Sequence, residues 1–261
     1  MMAGQKLSKE GDVLQALSIA FHAIVPLFLI IAVGYAVKRL GWIGPEEVRR
    51  FNKVTFYTFM PVMLFYNIYT SDFSQSVRLT YVLFVVGMVL GMILLSVVIT
   101  MLGEKAPERR GVMIQAAFRS NFVLLGLLMQ GLHIALPEVL VSFAGKMNSA
   151  ATPLILLLLG ASFEAQELAA YKKELLVCVG LRLVVFPGLI LTLSMALGLR
   201  DIEFVTLLAM TAAPTAVNSF NMAQQLGGDS HLAGSAVVVS TALSFFTLFF
   251  WITLFKQLGM F

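Results

Sequence analysis

The sequence is poor in charged residues and has a single cysteine. Charged residues make up 12% of the chain and hydrophobic residues 59%, whereas about a quarter of the residues of a soluble globular protein are charged. The bilayer is therefore the solvent of this chain, and the composition predicts an all-α integral membrane protein. The lone cysteine, Cys178, lies inside an apolar run. Neither a disulfide framework nor a thiolate metal site is predicted.

The sequence also lacks the motifs of enzymes and of cofactor-binding proteins. No hydrolase elbow, metal-binding helix motif or phosphate-binding loop occurs in it. No Asp or Glu lies deep within an apolar run, so an acid and base pair is missing as well. We therefore predict no enzyme activity, no catalytic residues, no metal and no cofactor.

Long apolar runs fill most of the chain. A membrane-spanning helix needs about 20 apolar residues, and eight stretches meet this length. They cover residues 15–39, 51–70, 79–103, 111–132, 138–160, 175–199, 202–227 and 232–255. The sequence predicts a single transmembrane domain over residues 1–261, with about eight helices in contact with the lipid bilayer.

Basic residues are concentrated in every second connection between these runs. The connections after the first, third and fifth runs hold most of the Lys and Arg, whereas the alternate connections hold only Arg78 and Arg200. Because basic loops stay on the cytoplasmic side, we predict that the three basic connections lie inside and that both termini lie outside. Such loops are more typical of topology than of nucleic-acid binding, so no nucleic-acid partner is predicted.

The chain resembles itself at a shift of 92 residues. The shift pairs Gly34 with Gly126, Leu40 with Leu132, Pro45 with Pro137, Glu46 with Glu138, Phe51 with Phe143 and Pro61 with Pro153. Under the predicted topology the paired runs cross in opposite directions, which is typical of inverted-repeat transporters. We predict a shortened repeat one over residues 14–122 and repeat two over residues 123–256. Roughly 50 residues would be missing at about residues 123–126.

Three cations lie deep within apolar runs. An ionisable group at the bilayer centre costs about 2.5 to 3.5 kcal/mol, so each one needs a role. Arg119 is the best candidate for binding an anion, because Ser120 and Asn121 follow it and add hydrogen-bonding groups. Lys146 either binds the anion or reaches the outer interface. Arg182 is interpreted as reaching the inner interface.

Pro214 lies in the middle of the seventh run, and Asn218 and Asn221 follow it. Proline removes a backbone donor and breaks a helix, and in a bilayer such a break survives only where it faces a cavity or other protein. The half-helix after it would point its positive N-terminus to mid-depth, where an anion binds. A simple kink is the alternative. Asn148, about one turn before Pro153, is a further polar candidate.

Other prolines and glycines predict local features of the helices. Pro61 and Pro153 predict kinks in the second and fifth runs. Gly34 permits close approach of two helices, and so does the pair Gly87 and Gly91 in the third run.

Several short motifs occur in order along nearly the whole chain. They are Val25-Pro-Leu leading to Gly34-Tyr35, Phe59-Met-Pro61, Arg119-Ser-Asn121, Ala151-Thr-Pro153 leading to Leu159-Gly-Ala161, Ala213-Pro214, Gly227-Gly-Asp229 and Val239-Ser-Thr-Ala-Leu-Ser244. In order and spacing they resemble the auxin efflux carrier family, whose bacterial relatives include malate and malonate permeases.

The resemblance implies ten helices in two inverted five-helix repeats, within a plasma membrane such as the bacterial inner membrane. Broken fourth and ninth helices would cross at mid-membrane, where a carboxylate substrate binds. The ninth corresponds to the run around Pro214, and the fourth to the run that carries Arg119 and Asn121. Family members continue the fourth helix through Gly-Leu-Pro, whereas this chain reads Gly126-Leu-Leu128. About eight helices are therefore expected here instead of ten.

Two functions follow from these observations. The first is a carrier or permease for a small organic anion such as malate, malonate or an auxin-like acid. The second is an internally deleted, non-transporting membrane protein that serves at most as a binding or assembly partner. A homodimer would supply missing surfaces, although the sequence gives no direct sign of one.

Overall fold

A computed structural model of the chain describes residues 2–70, 79–118 and 137–261. In chain order its helices are α1 (Met2–Arg39), α2 (Pro45–Val54), α3 (Met60–Tyr69), α4 (Leu79–Gly103), α5 (Pro107–Phe118), α6 (Glu138–Ser162), α7 (Glu167–Ala170), α8 (Lys172–Gly180), α9 (Phe186–Ala196), α10 (Asp201–Ala212), α11 (Asn218–Gln225) and α12 (Ser230–Gln257). Two π-helical turns, Thr55–Phe59 and Leu181–Val185, join α2 to α3 and α8 to α9. The described residues form no strand, as predicted.

Five helical stretches of the described chain are long and apolar enough to cross a membrane. They are Leu17–Arg39, Leu83–Gly103, Glu138–Ser162, Lys172–Ala196 and Ser230–Gln257. Each coincides with one of the predicted runs. The prediction of a multi-pass helical membrane protein is confirmed, whereas the count of eight helices is not.

The other three predicted runs are interrupted or only partly described. The run at 51–70 begins in α2, passes through the first π-helical turn and ends in α3. The run at 202–227 is divided into α10 and α11. The run at 111–132 is helical in α5, and its remainder lies outside the described residues. The inverted repeat therefore stays a prediction.

The connections that carry the basic residues meet at one end of the helix bundle, here called the basic end. Lys38 Nζ, in the last turn of α1, lies 3.2 Å from Glu164 Oε1, which follows α6. Arg109, at the start of α5, pairs with Glu174 on α8 and with Asp229 before α12. Successive membrane-spanning runs therefore alternate in direction between the two ends of the bundle, as the charge pattern predicts. The side of the membrane on which each end lies stays a prediction.

Together α10 and α11 reach from one end of the bundle to the other. The backbone N–H of Asp201, where α10 begins, donates to Met260 O near the C-terminus at 2.9 Å. After α11, the backbone N–H of Asp229 donates to Glu108 O at the basic end, at 3.2 Å. The two short helices of the interrupted run thus together cover the distance that one membrane-spanning helix would cover.

The main hydrophobic core surrounds α12. It includes buried residues of α4, α5, α8, α9, α10 and α12, among them Phe204, Trp251 and Phe255. A second group is formed by α1, α2, α3 and α6, of which α1 also packs against α12. The broken pair α10 and α11 lies on the α12 side of this division, and α11 contacts both groups.

Each π-helical turn ends two residues before a proline, Pro61 in the first case and Pro187 in the second. A proline has no N–H to donate and its ring clashes with the carbonyl four residues earlier, and a wider turn relieves that clash. For Pro187 this carbonyl belongs to Leu183, and it accepts from Trp251 Nε1 at 3.0 Å. The kink predicted at Pro61 is a π-helical turn, whereas α6 continues as a helix through Pro153.

Two glycines allow α1 and α6 to cross closely. A Cβ added at Gly34 would overlap the carbonyl oxygen of Leu157, and one added at Gly160 would overlap that of Ile31. Because the obstructing atoms belong to the backbone, neither helix can yield by turning a side chain. The close approach predicted at Gly34 is confirmed.

The glycine pair on α4 has a different environment. Among the described atoms, nothing lies within 4 Å of a Cβ added at Gly87 or Gly91. Both line an apolar groove of about 510 Å³ between α4 and α9. The predicted close packing at this pair is wrong for the described chain.

Candidate functional site

The seventh predicted run is broken in the middle, where its proline lies. α10 ends at Ala212, residues 213–217 are not helical, and α11 begins at Asn218. Pro214 lies within this non-helical segment, here called the break. The break predicted at Pro214 is therefore confirmed, and the alternative of a simple kink is wrong.

Arg182 holds the end of α10 that leads into the break. Its Nε donates to Ala213 O at 2.9 Å, and its Nη2 donates to Met210 O at 3.0 Å. Pro214 has no N–H, so the carbonyl of Met210, four residues earlier, loses its helix partner. Arg182 supplies that hydrogen bond from another helix. Its charge also faces the negative end of the α10 dipole.

Arg182 is fully buried, at 0% exposure. It lies ten residues after Lys172, where α8 begins at the basic end, which is about 15 Å at the rise of an α-helix. This is half of the roughly 30 Å thickness of the hydrocarbon core. The interpretation of Arg182 as reaching the inner interface is wrong, because its guanidinium is bonded to carbonyl groups at mid-depth.

One donor of Arg182 remains unused. Within the described ranges, its Nη1 has no hydrogen-bond partner and no Asp or Glu pairs with the side chain. Sequence reasoning identified Arg182 as a deep cation but left it out of the site. The signal that would have included it is Pro214, since a proline break leaves carbonyl groups that require a donor.

Two further helices fix the break. The Thr215 backbone N–H donates to Ser240 Oγ on α12 at 3.1 Å, and Thr215 Oγ1 donates to Ala116 O near the end of α5 at 2.9 Å. All three residues are buried. The break is thus held from α5, from α12 and, through Arg182, from the second π-helical turn.

Several buried polar side chains on α11, and on α2 and α12, which contact it, lack partners among the described residues. Asn221 is 0% exposed, and neither atom of its amide has a partner among the described residues. Three further groups also have no hydrogen-bond partner among the described residues. They are the hydroxyls of Ser219 on α11 and Ser235 on α12 and the amide of Asn52 on α2. Most buried polar groups in proteins are paired. These unpaired atoms are therefore candidates for contacts that the described residues do not supply.

The structure places part of the predicted site at the break. Pro214 lies in the break, and Asn218 and Asn221 lie on α11, which follows it; both asparagines are buried. The other half of the predicted site, Arg119, Ser120 and Asn121, lies outside the described residues, which end at Phe118 in this part of the chain.

Lys146 and Asn148 are not part of the break. Lys146 is exposed and lines an open groove of about 720 Å³ between α3 and α6, together with Tyr66 and Ser149. No residue of α10, α11 or the break lines this groove among those that the structure describes. Asn148 is half-buried on α6. A binding role for these two residues stays a prediction.

A cluster of charges at the basic end fixes the turn between α11 and α12. Arg109 lies 3.2 Å from Glu174 and 3.6 Å from Asp229, with its guanidinium 5.2 Å from the centre of the Tyr171 ring. The Tyr171 hydroxyl donates to Asp229 at 2.9 Å. Burial, followed by this hydrogen bond, raises the pKa of Tyr171 to about 12. Asp229 also caps α12 by accepting from the Leu232 N–H.

A helix interrupted at mid-depth survives in a bilayer only inside protein or beside a cavity, and secondary carriers bind their substrates at such interruptions. The interrupted run is accordingly a feature that this chain shares with membrane transport proteins. The model of the family described as membrane transport protein matches residues 19–133 and 123–252, and the chain belongs to this family, the auxin efflux carrier family. The resemblance predicted from the motifs is confirmed. No curated protein matches the chain.

Proposed function

We propose that this transporter carries a small organic anion, a carboxylate such as malate, malonate or an auxin-like acid, which binds at the break. The observation that carries the proposal is Arg182, a cation at 0% exposure with an unpaired Nη1 and no acidic partner in the described part of the chain. A buried positive charge attracts an anion strongly because little solvent screens it. The unpaired amide of Asn221 and the hydroxyl of Ser219 add donors for a carboxylate.

The anion moves as a charged species in this proposal. None of the buried residues in the described chain is Asp, Glu or His, so the site has no group suited to relaying protons at physiological pH. The charge of Arg182 is held in place by two carbonyl groups. Transport would then follow the concentration gradient and the membrane potential.

Uptake into proteoliposomes tests the proposal. We expect labelled malate, malonate or an auxin-like acid to enter vesicles that contain the protein faster than empty vesicles. Asn221→Leu should lower uptake about tenfold or more, because a hydrogen bond to a charged group contributes about 1.5 to 3 kcal/mol. Ser194→Ala is the control, since Ser194 is equally buried but donates to Leu191 O at 2.8 Å within its own helix. Absence of uptake of every acid by folded protein would contradict the proposal.

The non-transporting alternative rests on the short first repeat. The two regions matched by the family model overlap at residues 123–133, which includes the predicted junction at 123–126. Family membership supports transport by this chain as it stands. Insertion of roughly 50 residues from a relative at Val123 separates the two hypotheses. We expect uptake without the insert, and uptake only with it would support the alternative.

We further propose a bacterial inner membrane location, with the basic end inside and both termini outside. Support comes from the ion pairs that bring the basic connections to one end and from the positive-inside rule. Two inverted repeats over residues 14–122 and 123–256, and a homodimer that supplies missing surfaces, belong to the same proposal. Labelling a cysteine placed at Phe261 in intact cells with an impermeant reagent tests the orientation, and protection of that cysteine would contradict it.

A further inference from the structure

A cavity of about 200 Å³ at the basic end is lined by residues of α1, α2, α6, α11 and α12. Three buried atoms of its lining residues have no hydrogen-bond partner among the described residues, namely Ser162 Oγ, Gln224 Oε1 and Ser235 Oγ. Ser235 is 1% exposed. Burial of polar groups without hydrogen bonds costs free energy. The three side chains therefore lack contacts around a space that a ligand can enter.

Three helices meet at this cavity. A Cβ added at Gly234 on α12 would lie 3.2 Å from Leu159 Cδ1 on α6 and 3.4 Å from Phe220 Cδ2 on α11. Ser162 follows Leu159 by about one turn, and Gln224 follows Phe220 by about one turn, so each pair shares a helix face. The unpaired atoms of the lining thus belong to three helices that are in contact at this level of the bundle.

The charged residues of the lining leave one cation without a partner. Glu164 lies 3.2 Å from Lys38 Nζ, and Glu167 lies 2.7 Å from His231 Nδ1. In the described part of the chain no carboxylate pairs with Arg49, which is exposed. Because both carboxylates of the lining are paired and this guanidinium is not, the cavity favours an anion.

We propose that this cavity is a second anion site, separate from the break, and that it binds hydrogen phosphate. The oxygen atoms of this anion accept from the hydroxyls of Ser162 and Ser235, and its own hydroxyl donates to Gln224 Oε1. At about 30 Å³ per water molecule, the cavity has room for several waters or for one such anion. The phosphate of a phospholipid diester carries no hydroxyl, so the free ion fits this set of groups better.

The site is independent of the proposed transport function. Neither Arg182 nor Asn221 lines the cavity, and no residue of the break does so within the described ranges. The bound anion would contact α6 as well as α11 and α12, and so would connect the two helix groups of the bundle.

Phosphate and sulfate test this inference, because they are similar in size and charge and differ by one hydroxyl. By calorimetry with the purified protein, we expect phosphate to bind about tenfold more tightly than sulfate. Ser235→Ala should weaken phosphate binding about tenfold. Ser244→Ala is the matched control, because Ser244 lies on the same helix at 0% exposure but donates to Thr241 O at 2.7 Å. It should leave the affinity unchanged.

An exposed position provides a second variant that does not endanger folding. Arg49→Gln should weaken the binding of both anions about threefold, as expected for an exposed charge. Arg50→Gln is its control, because Arg50 is also exposed, lies 3.5 Å from Glu46 and is not part of the lining. It should leave both affinities unchanged.

Equal binding of phosphate and sulfate by the unsubstituted protein, or absence of phosphate binding, would overturn the inference. A lower unfolding temperature of Ser235→Ala without ligand would also overturn it, since the hydroxyl would then have a partner within the protein. Asn221→Leu distinguishes the two sites, because it should lower malate uptake and leave phosphate binding unchanged. Loss of phosphate binding in this variant would show that the cavity is not a separate site.

Discussion

Arg182 replaces a backbone hydrogen bond that Pro214 cannot make. The guanidinium is planar and presents its donors in a fixed fork, so a single side chain reaches Ala213 O at 2.9 Å and Met210 O at 3.0 Å. The bonds cross 31 and 28 residues of sequence. The same residue therefore holds the shape of the break and, in the proposed function, brings the charge that attracts the anion.

Arg182→Lys separates these two contributions. The ammonium keeps the charge but lacks the fork, so we predict a loss of about 2 kcal/mol in the free energy of unfolding, measured by denaturation in detergent. Arg200→Lys is the control, because Arg200 is exposed and its Nη1 donates to Gly259 O at 3.3 Å. It should change stability by less than about 0.5 kcal/mol. Equal effects of the two substitutions would contradict this role.

The raised pKa of Tyr171 predicts that the folded protein loses stability at alkaline pH. Its pKa is raised from 10.0 to about 12, so the folded protein binds the phenol proton more tightly than the unfolded chain does. The resulting stability is fully present below about pH 10 and is lost as the pH rises through about 12. Tyr171→Phe should flatten the fall in unfolding temperature across this interval, and Tyr57→Phe, at an exposed position, should not. An unchanged fall in Tyr171→Phe would show that the titration lies elsewhere.

At the scale of helices, the long apolar runs were predictable because the thickness of the bilayer determines their length. The third run at 79–103 coincides with α4 (Leu79–Gly103). The π-helical turns were not predictable, because a proline alone does not determine how the lost hydrogen bond is replaced. Before Pro187, the carbonyl of Leu183 accepts from Trp251 Nε1. Pro153, in contrast, lies within a continuous helix.

The crossing of α1 and α6 gives a prediction at this scale. Gly34→Ala would place its methyl group against the carbonyl of Leu157, and overpacking of this kind costs about 1 to 3 kcal/mol. Gly91→Ala is the control, since an added Cβ there meets no described atom within 4 Å. Alanine favours the helix over glycine by up to about 1 kcal/mol, so Gly91→Ala should be neutral or stabilising. Similar unfolding temperatures for the two variants would contradict the close crossing.

At the scale of the whole molecule, the sequence predicted the break and its asparagines but not the buried cation that holds it. Depth within an apolar run does not determine where a long side chain points, because Arg can extend to an interface or turn inward. The direction of Arg182 depends on carbonyl groups of α10, a different helix. Asn52 was not predicted either, because the burial of its amide depends on how the helix groups on either side of α11 pack and not on its position within a run.

The central claim, organic-anion transport through the break, is tested most directly by uptake under an imposed K⁺ diffusion potential. A potential of 100 mV changes the free energy of a transferred charge by about 2.3 kcal/mol. We predict that proteoliposomes take up labelled malate faster when their interior is positive than when it is negative, and that Asn221→Leu lowers uptake at both signs. Uptake equal to that of empty vesicles at both signs of the potential would contradict the claim.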